Sequence, residues 1–339
     1  MCLATAIYAA LHFLVDLICA WAMFSNFTAA NYENLLIYNF CAFALQMPFG
    51  TLLDLLGAET RRSGAVFALL GMVLTFLGAL LHPALLGIGN ALFHVGGGFD
   101  VIHEDLKRQR KGRNLGIFVA PGAVGLYVGT LLGSRAVGIG VLIAAAILTL
   151  PVLSAVIRRA ASIAHSVNSV SFPAQIPVVL TACCFAVVIL RSWIGLSVSF
   201  PWKSSGILAA CAVCGAAAGK VCGGFLGARF GIPRTAAVTL LSAAVCYLAG
   251  AMPAMGILAA FFFNMTMPLT LYLLTEKMPG LAGFSFGLLT FGRFLGFLPV
   301  YYQLHLPMSG SMLGALGSIV TCILLTIAGK AGGYGKVPA

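Results

Sequence analysis

His12, Asp16, His94, Arg191 and Arg293 each stand inside an apolar stretch of about twenty residues, the length that crosses a bilayer as a helix. An ionisable group at such a depth costs about 2.5 to 3.5 kcal/mol on insertion scales, so it calls for a partner, a cavity or a function. His12 and Asp16 are four residues apart and share one helical face with Thr5 and Tyr8. A carboxylate beside an imidazole is a protonatable pair whose charge state responds to a nearby cation or ligand, which suits it to proton coupling. Arg191 and Arg293 present planar forks that grip a phosphonate, phosphate or carboxylate through paired hydrogen bonds. Their charges outnumber that of Asp16, and a low-dielectric vestibule of positive sign attracts anions and repels cations. Sodium coupling fits less well, because one acid coordinates a hard cation poorly. Plainer readings stand beside these: Asp16 and Arg191 as a structural ion pair, His12 and His94 as hydrogen-bonded packing residues. Lys220, near one end of its stretch, has a stem long enough to snorkel.

The elements that position these groups follow from composition. Hydrophobic residues make up 61% of the 339 and charged residues 8%, against about a quarter charged in a soluble domain. In lipid the backbone must satisfy its own hydrogen bonds, and runs of this length do so as helices rather than as barrel strands. The pattern predicts an all-α membrane protein with twelve transmembrane helices near 3–24, 34–56, 64–82, 83–101, 115–134, 137–157, 176–199, 205–227, 235–252, 255–275, 282–301 and 311–329. Twelve spans leave no length for a soluble catalytic domain, so the chain reads as a non-enzyme without cofactor or metal. Two six-helix bundles, 1–160 and 176–339, are expected around a polar linker at 161–175. The first span holds His12 and Asp16 and precedes no clean cleavage site, so it is expected to be retained.

The formal net charge of +11 does not gather on one face, which argues against nucleic acid as a partner. Arg61 and Arg62, the run from Lys107 to Arg113, Arg158 and Arg159, Arg229 and Arg234, Lys277, Lys330 and Lys336 all fall on alternate connections or the C-terminal tail. The opposite connections carry Arg135 and Lys203. The positive-inside rule then places both termini in the cytoplasm and Trp21 and Trp202 at the outer interface; the chain is expected to be a monomer of the cytoplasmic membrane. The ten cysteines include Cys211-x-x-Cys214 with no second ligand pair near it, so they read as packing residues. His103–Glu104–Asp105 is not HExxH and reads as a solvated helix end.

The octet GTLLDLLG at Gly50 to Gly57 returns as GFLGARFG at Gly224 to Gly231, 174 residues on, each closing the second span of its half. Tandem halves of this kind belong to transporters. The octet resembles motif A of the major facilitator superfamily, G-x-L-x-D-x-x-G with following basic residues, through Gly50, Leu52, Asp54 and Gly57, with Arg61 and Arg62 two or three places late. Gly224, Leu226, Arg229 and Gly231 repeat it, with Ala228 in place of the acid. HFLVD at 12–16, GIGNALFH at 87–94, LRSW at 190–193 and NMTMPLTLYLL at 264–274 narrow the likeness to the fosmidomycin-resistance-like branch, over essentially the whole chain. Val95 and the absence of proline after Asp16 depart from that branch, and the substrate does not carry over with the fold. The resemblance implies two pseudo-symmetric halves whose first, fourth, seventh and tenth helices line a central cavity, placing Asp16, His94, Arg191 and Asn264 there. It also implies that Asp54, accepting hydrogen bonds from the start of the eleventh helix near Gly283, latches the inner side. VAPGAVGLYVG at 119–129 bends and packs closely, and resembles the family's antiporter motif only loosely.

These features converge on a secondary transporter of a small anionic or amphipathic compound, moved against protons by alternating access. Arg191, Arg293, His94 and Asn264 are the expected substrate contacts, Asp16 and His12 the proton pair, and Gly50, Asp54, Gly57, Arg61 and Arg62 the gate. A proton-coupled importer of an organic acid or sugar phosphate is the alternative, and a transport-inactive receptor a further one. No G-x-x-x-x-G-K-[ST] segment occurs, which argues against an ATP-driven pump.

Overall fold

The computed structural model describes residues 3–27, 31–57, 63–135, 138–162, 176–304 and 306–333, and among them every regular element is helical. Arg61, Arg62 and most of the 161–175 linker lie outside the described residues. Ten helices are long and apolar enough to cross a membrane, and two shorter apolar helices complete the set. In chain order they are α1 (Leu3–Phe27), α2 (Glu33–Leu56), α3 (Gly64–Leu81), α4 (Pro83–Lys107), α5 (Arg113–Ser134), α6 (Gly140–Ala155), α7 (Val178–Ser197), α8 (Gly206–Phe230), α9 (Ile232–Leu248), α10 (Pro253–Lys277), α11 (Ala282–Tyr301) and α12 (Gly310–Ala331).

Three helices are irregular where their sequence demands it or their neighbours allow it. α10 breaks at Met265, between Pro253–Asn264 and Thr266–Lys277. Pro268 has no N–H to give the carbonyl of Asn264, four residues earlier, so the ladder lapses there. α1 ends in a π-helical turn at Met23–Phe27, and α2 has another at Phe40–Ala44. The α2 turn fits against Gly87 of α4, where a Cβ would crowd Cys41 Cβ, the Tyr38 carbonyl and the Ala42 amide.

The contacts divide the chain into two compact units. The first comprises Met1–Glu104, Ile117–Phe172 and Pro279–Phe291; the second comprises Asp105–Gly116, Pro173–Met278 and Gly292–Ala339. In the first, glycines at four- and three-residue spacing on α5 set it against α1: a Cβ on Gly125 or Gly129 would strike the carbonyl of Phe13 or Leu17. In the second, Gly219 and Gly223 of α8 do the same against the Phe261 and Met265 carbonyls of α10, and Gly296 of α11 against Ile189 of α7. With little hydrophobic drive between helices in lipid, such close backbone approach supplies the packing energy.

Large apolar side chains are exposed in helical stripes, Val66, Leu70, Val73, Leu77 and Leu80 on α3 and Val238, Leu241, Val245 and Leu248 on α9. That is the reverse of a soluble helix and fits a lipid-facing surface. Several buried hydroxyls are satisfied within their own helices, as with Thr75 to the Gly71 carbonyl and Thr321 to Gly317. Trp21, expected at the interface, is instead 3% exposed inside the first unit. Gly133 of α5 brings that helix close to the Trp21 carbonyl.

Candidate functional site

In the first unit the residues of GIGNALFH divide their work by helical angle. Gly87 admits α2 and Gly89 admits Thr75 of α3, while Asn90 and His94, one turn apart, face α1. There His94 meets His12 and Asp16. The two Nε2 atoms are 2.8 Å apart, and the rings stand edge to face at 4.4 Å between centroids. His12 Nε2 lies 3.2 Å from Asp16 Oδ2, and His94 Nε2 lies 3.6 Å from Asp16 Oδ1. Each ring is pinned at its other nitrogen, His12 Nδ1 at 2.8 Å from the Phe118 carbonyl of α5 and His94 Nδ1 at 2.8 Å from the Asn90 carbonyl. Asn90 donates its amide to Asp16 Oδ1 at 3.3 Å and to Cys19 Sγ at 3.5 Å. Gly122 of α5 is required beside them, because a Cβ there would collide with His12 Nε2 and Asp16 Oδ2.

Asn90 escaped the sequence reading, although an amide one turn before His94 on an otherwise apolar face was the available signal. One turn before His12, Tyr8 donates its hydroxyl to Asp100, a half-buried acid in α4. Asp100 was passed over because the fourth span was expected to end beside it, whereas α4 runs on to Lys107.

In the second unit Arg191 of α7 lies near enough to Arg293 of α11 for their like charges to act on each other, with Tyr247 of α9 also close. Its guanidinium carbon is 6.0 Å from the centre of the Phe263 ring of α10. The Nε of Arg191 is buried, and among the described residues no hydrogen-bond acceptor meets it. Ser192 donates its hydroxyl to the Arg293 carbonyl at 2.7 Å, joining α7 and α11 at that level. Like charges this close repel, and an anion between them would lower that repulsion. Asn264 lies at the break in α10, where its amide donates to the Ala260 carbonyl at 2.8 Å. Lys220 is buried, 8% exposed, rather than reaching outward. The free thiols of Cys211 and Cys214 are both exposed on α8.

Two helix N-termini are each held by a carboxylate. Asp54, 3% exposed at the end of α2, accepts hydrogen bonds from Gly283 N at 2.8 Å and Phe284 N at 2.7 Å, at the start of α11. Gly50 and Gly283 allow this, since a Cβ on either would run into the backbone of the other. Asp105, fully buried at the end of α4, accepts from Asn114 N at 3.1 Å and Leu115 N at 3.0 Å, at the start of α5. It is not the solvated helix end expected from its basic surroundings. The intervening loop turns tightly enough, through positive φ at Gln109, Lys111 and Gly112, to bring the acid back onto the next helix.

No protein-family model and no curated relative matches the sequence. Solved structures do match it in fold. The fucose:proton symporter FucP of E. coli aligns over 96% of this chain and 98% of its own, at 14% identity and a TM-score of 0.62. The human organic anion transporter MFSD10 aligns over 96% and 98%, at 14% identity and a TM-score of 0.65. A bacterial homologue of the iron transporter ferroportin, in its outward-facing state, aligns over 98% of each chain at 12% identity and a TM-score of 0.59. The fold is therefore that of the major facilitator transporters, twelve transmembrane helices in two pseudo-symmetric six-helix halves, and the chain is a multi-pass membrane protein.

Proposed function

We propose that this chain is a secondary active transporter of the fosmidomycin-resistance-like branch. It moves a small anionic or amphipathic compound by alternating access, in exchange for protons and in the direction of efflux. The observation that carries the substrate class is the buried Nε of Arg191, which no acceptor among the described residues meets, with the Phe263 ring beside the guanidinium. The arginines grip a phosphonate, phosphate or carboxylate, and the aromatic rings accept an apolar remainder. The His12–Asp16 pair in the other unit carries the proton. Asp54 on the α11 N-terminus serves as the inner latch, with both termini in the cytoplasm.

The test is ligand-induced thermal stabilisation of the purified full chain over phosphonates, phosphates, carboxylates and lipophilic cations. Anions are expected to stabilise it, and Arg191→Gln or Arg293→Gln to weaken their binding by about 1.5 to 3 kcal/mol, the scale of a charged hydrogen bond. Preferential binding of lipophilic cations, undiminished by either change, would remove the anion reading. Uptake and efflux in vesicles under opposed pH gradients then read the direction.

A further inference from the structure

The sequence pattern assigned His94 to substrate, but its surroundings are those of a proton site. We propose that His12 and His94 hold one proton between their Nε2 atoms, with Asp16 as its counter-ion, so that three residues rather than one acid form the coupling group. The use of this proton in transport rests on the proton-coupled reading above; the existence of the shared proton does not.

The argument is one of donors and acceptors. Each Nδ1 lies 2.8 Å from a backbone carbonyl oxygen, which only accepts, so both Nδ1 atoms carry hydrogen. A neutral imidazole protonated there has only a lone pair at Nε2. Two neutral rings would therefore aim lone pair at lone pair across 2.8 Å, which is repulsive. One added proton turns the same contact into an N–H···N hydrogen bond of ordinary length. The charges then close as well: one shared proton and one carboxylate give a neutral cluster, the form that a mid-membrane position tolerates best. Asn90 turns the carboxylate so that Oδ2 addresses His12 and Oδ1 addresses His94.

The groups facing the pair can be named helix by helix. α1 brings Asp16, Cys19 and, one turn away, Tyr8; α4 brings Asn90 and, beyond it, Asp100 on the Tyr8 hydroxyl; α5 brings the Phe118 carbonyl and Gly122. The same three ligand atoms lie within 4.8 Å of one another, close enough for a divalent metal. Yet a tetrahedral metal, with bonds of about 2.0 to 2.1 Å, would spread the nitrogens to roughly 3.3 Å. The observed separation favours the proton. Its release breaks one N–H bond, hands the proton to water, and leaves two opposed lone pairs beside a carboxylate whose charge is no longer balanced. That repulsion favours parting of the two rings, which would tie proton loss to movement of α1 against α4.

The test is nuclear magnetic resonance of the full chain in lipid with nitrogen-15 in its histidines, without added substrate. A scalar coupling between the two Nε2 nuclei, and both rings shifting together at one pH, are expected. His94→Gln and His12→Gln should each abolish the coupling, while wild-type spectra decide the matter even if a variant misfolds. Absence of the coupling, or separate titration of the rings, overturns the shared proton. A chelator that alters these signals and releases a bound metal also overturns it, in favour of a metal centre. In vesicles bearing a pH gradient, with methylphosphonate as probe, His94→Gln should reduce accumulation to the level of empty vesicles. A coupling that is present while wild type moves no proton with any probe anion retains the shared proton and removes the proton-coupled reading.

Discussion

The N-termini of α11 and α5 are capped in the same way by acids that reach them by different routes. Asp54 meets Gly283 and Phe284 across 229 and 230 residues, whereas Asp105 meets Asn114 and Leu115 across 9 and 10. The surrounding frames are equivalent. Gly50 sits on Gly283 and Gln46 beneath Gly287; 174 positions later Gly224 sits on Gly112 and Lys220 beneath Gly116. In the second frame Ala228 stands where Asp54 stands in the first, and α4 supplies the missing carboxylate from next door. Both caps satisfy free N–H groups and meet the positive end of a helix dipole. They differ in what breaking them requires. The Asp105 cap closes a short loop and stays closed as long as the α4–α5 hairpin exists. The Asp54 cap joins helices far apart in the chain, so it can open while each helix stays folded, which suits the latch proposed above.

The largest effects expected from this comparison come from the glycines. Gly50→Ala and Gly224→Ala each drive a methyl into backbone of the facing helix and should destabilise that contact by about 3 kcal/mol. Cysteine accessibility along α11 and α5 measures the separation, and a large effect at one glycine alone would break the equivalence of the frames. Asp54→Asn comes next: it keeps the shape, removes the charge, and should weaken the latch by about 1 to 2 kcal/mol. The conformer balance then shifts toward the state with α11 released, and turnover falls more than substrate affinity. Unchanged accessibility with normal transport would take Asp54 out of gating. Asp105→Asn should lower the melting temperature without shifting conformers, since its cap spans only the short α4–α5 loop; a conformer shift as large as that of Asp54→Asn would make it a second latch. The smallest effect is expected of Ala228→Asp, nearly silent alone but restoring much of the stability lost in Asp105→Asn, because it returns the acid to the position Asp54 holds.

Much of the fold was legible because it rests on local quantities. The helix of α3 at Gly64–Leu81 and that of α12 at Gly310–Ala331 fall within a few residues of the expected spans, since the length of an apolar run fixes what lipid accepts. The His12–Asp16 face followed from helical pitch alone, and the break at Met265 was written in Pro268, though the reading passed over it. The repeat of Gly50–Gly57 at Gly224–Gly231 announced two related frames. It also showed the second without its acid, and so gave no hint that Asp105 would replace it.

By itself, then, the sequence determined that this chain is a helical membrane protein of two related halves, and which few side chains carry charge within it. Only the tertiary structure decided which of those side chains meet. His94 finds His12 at a separation of 82 residues because Gly89 sets the distance of α3 from α4 and Gly122 that of α5 from α1, leaving the two imidazoles one hydrogen bond apart. Arg191 finds Arg293 because Gly292 and Gly296 let α11 lie against α7. Transfer into lipid is summed residue by residue along a helix and can be read in order. The partner of a charge depends on which backbones approach within a methyl group's width, and that is a property of the packed bundle.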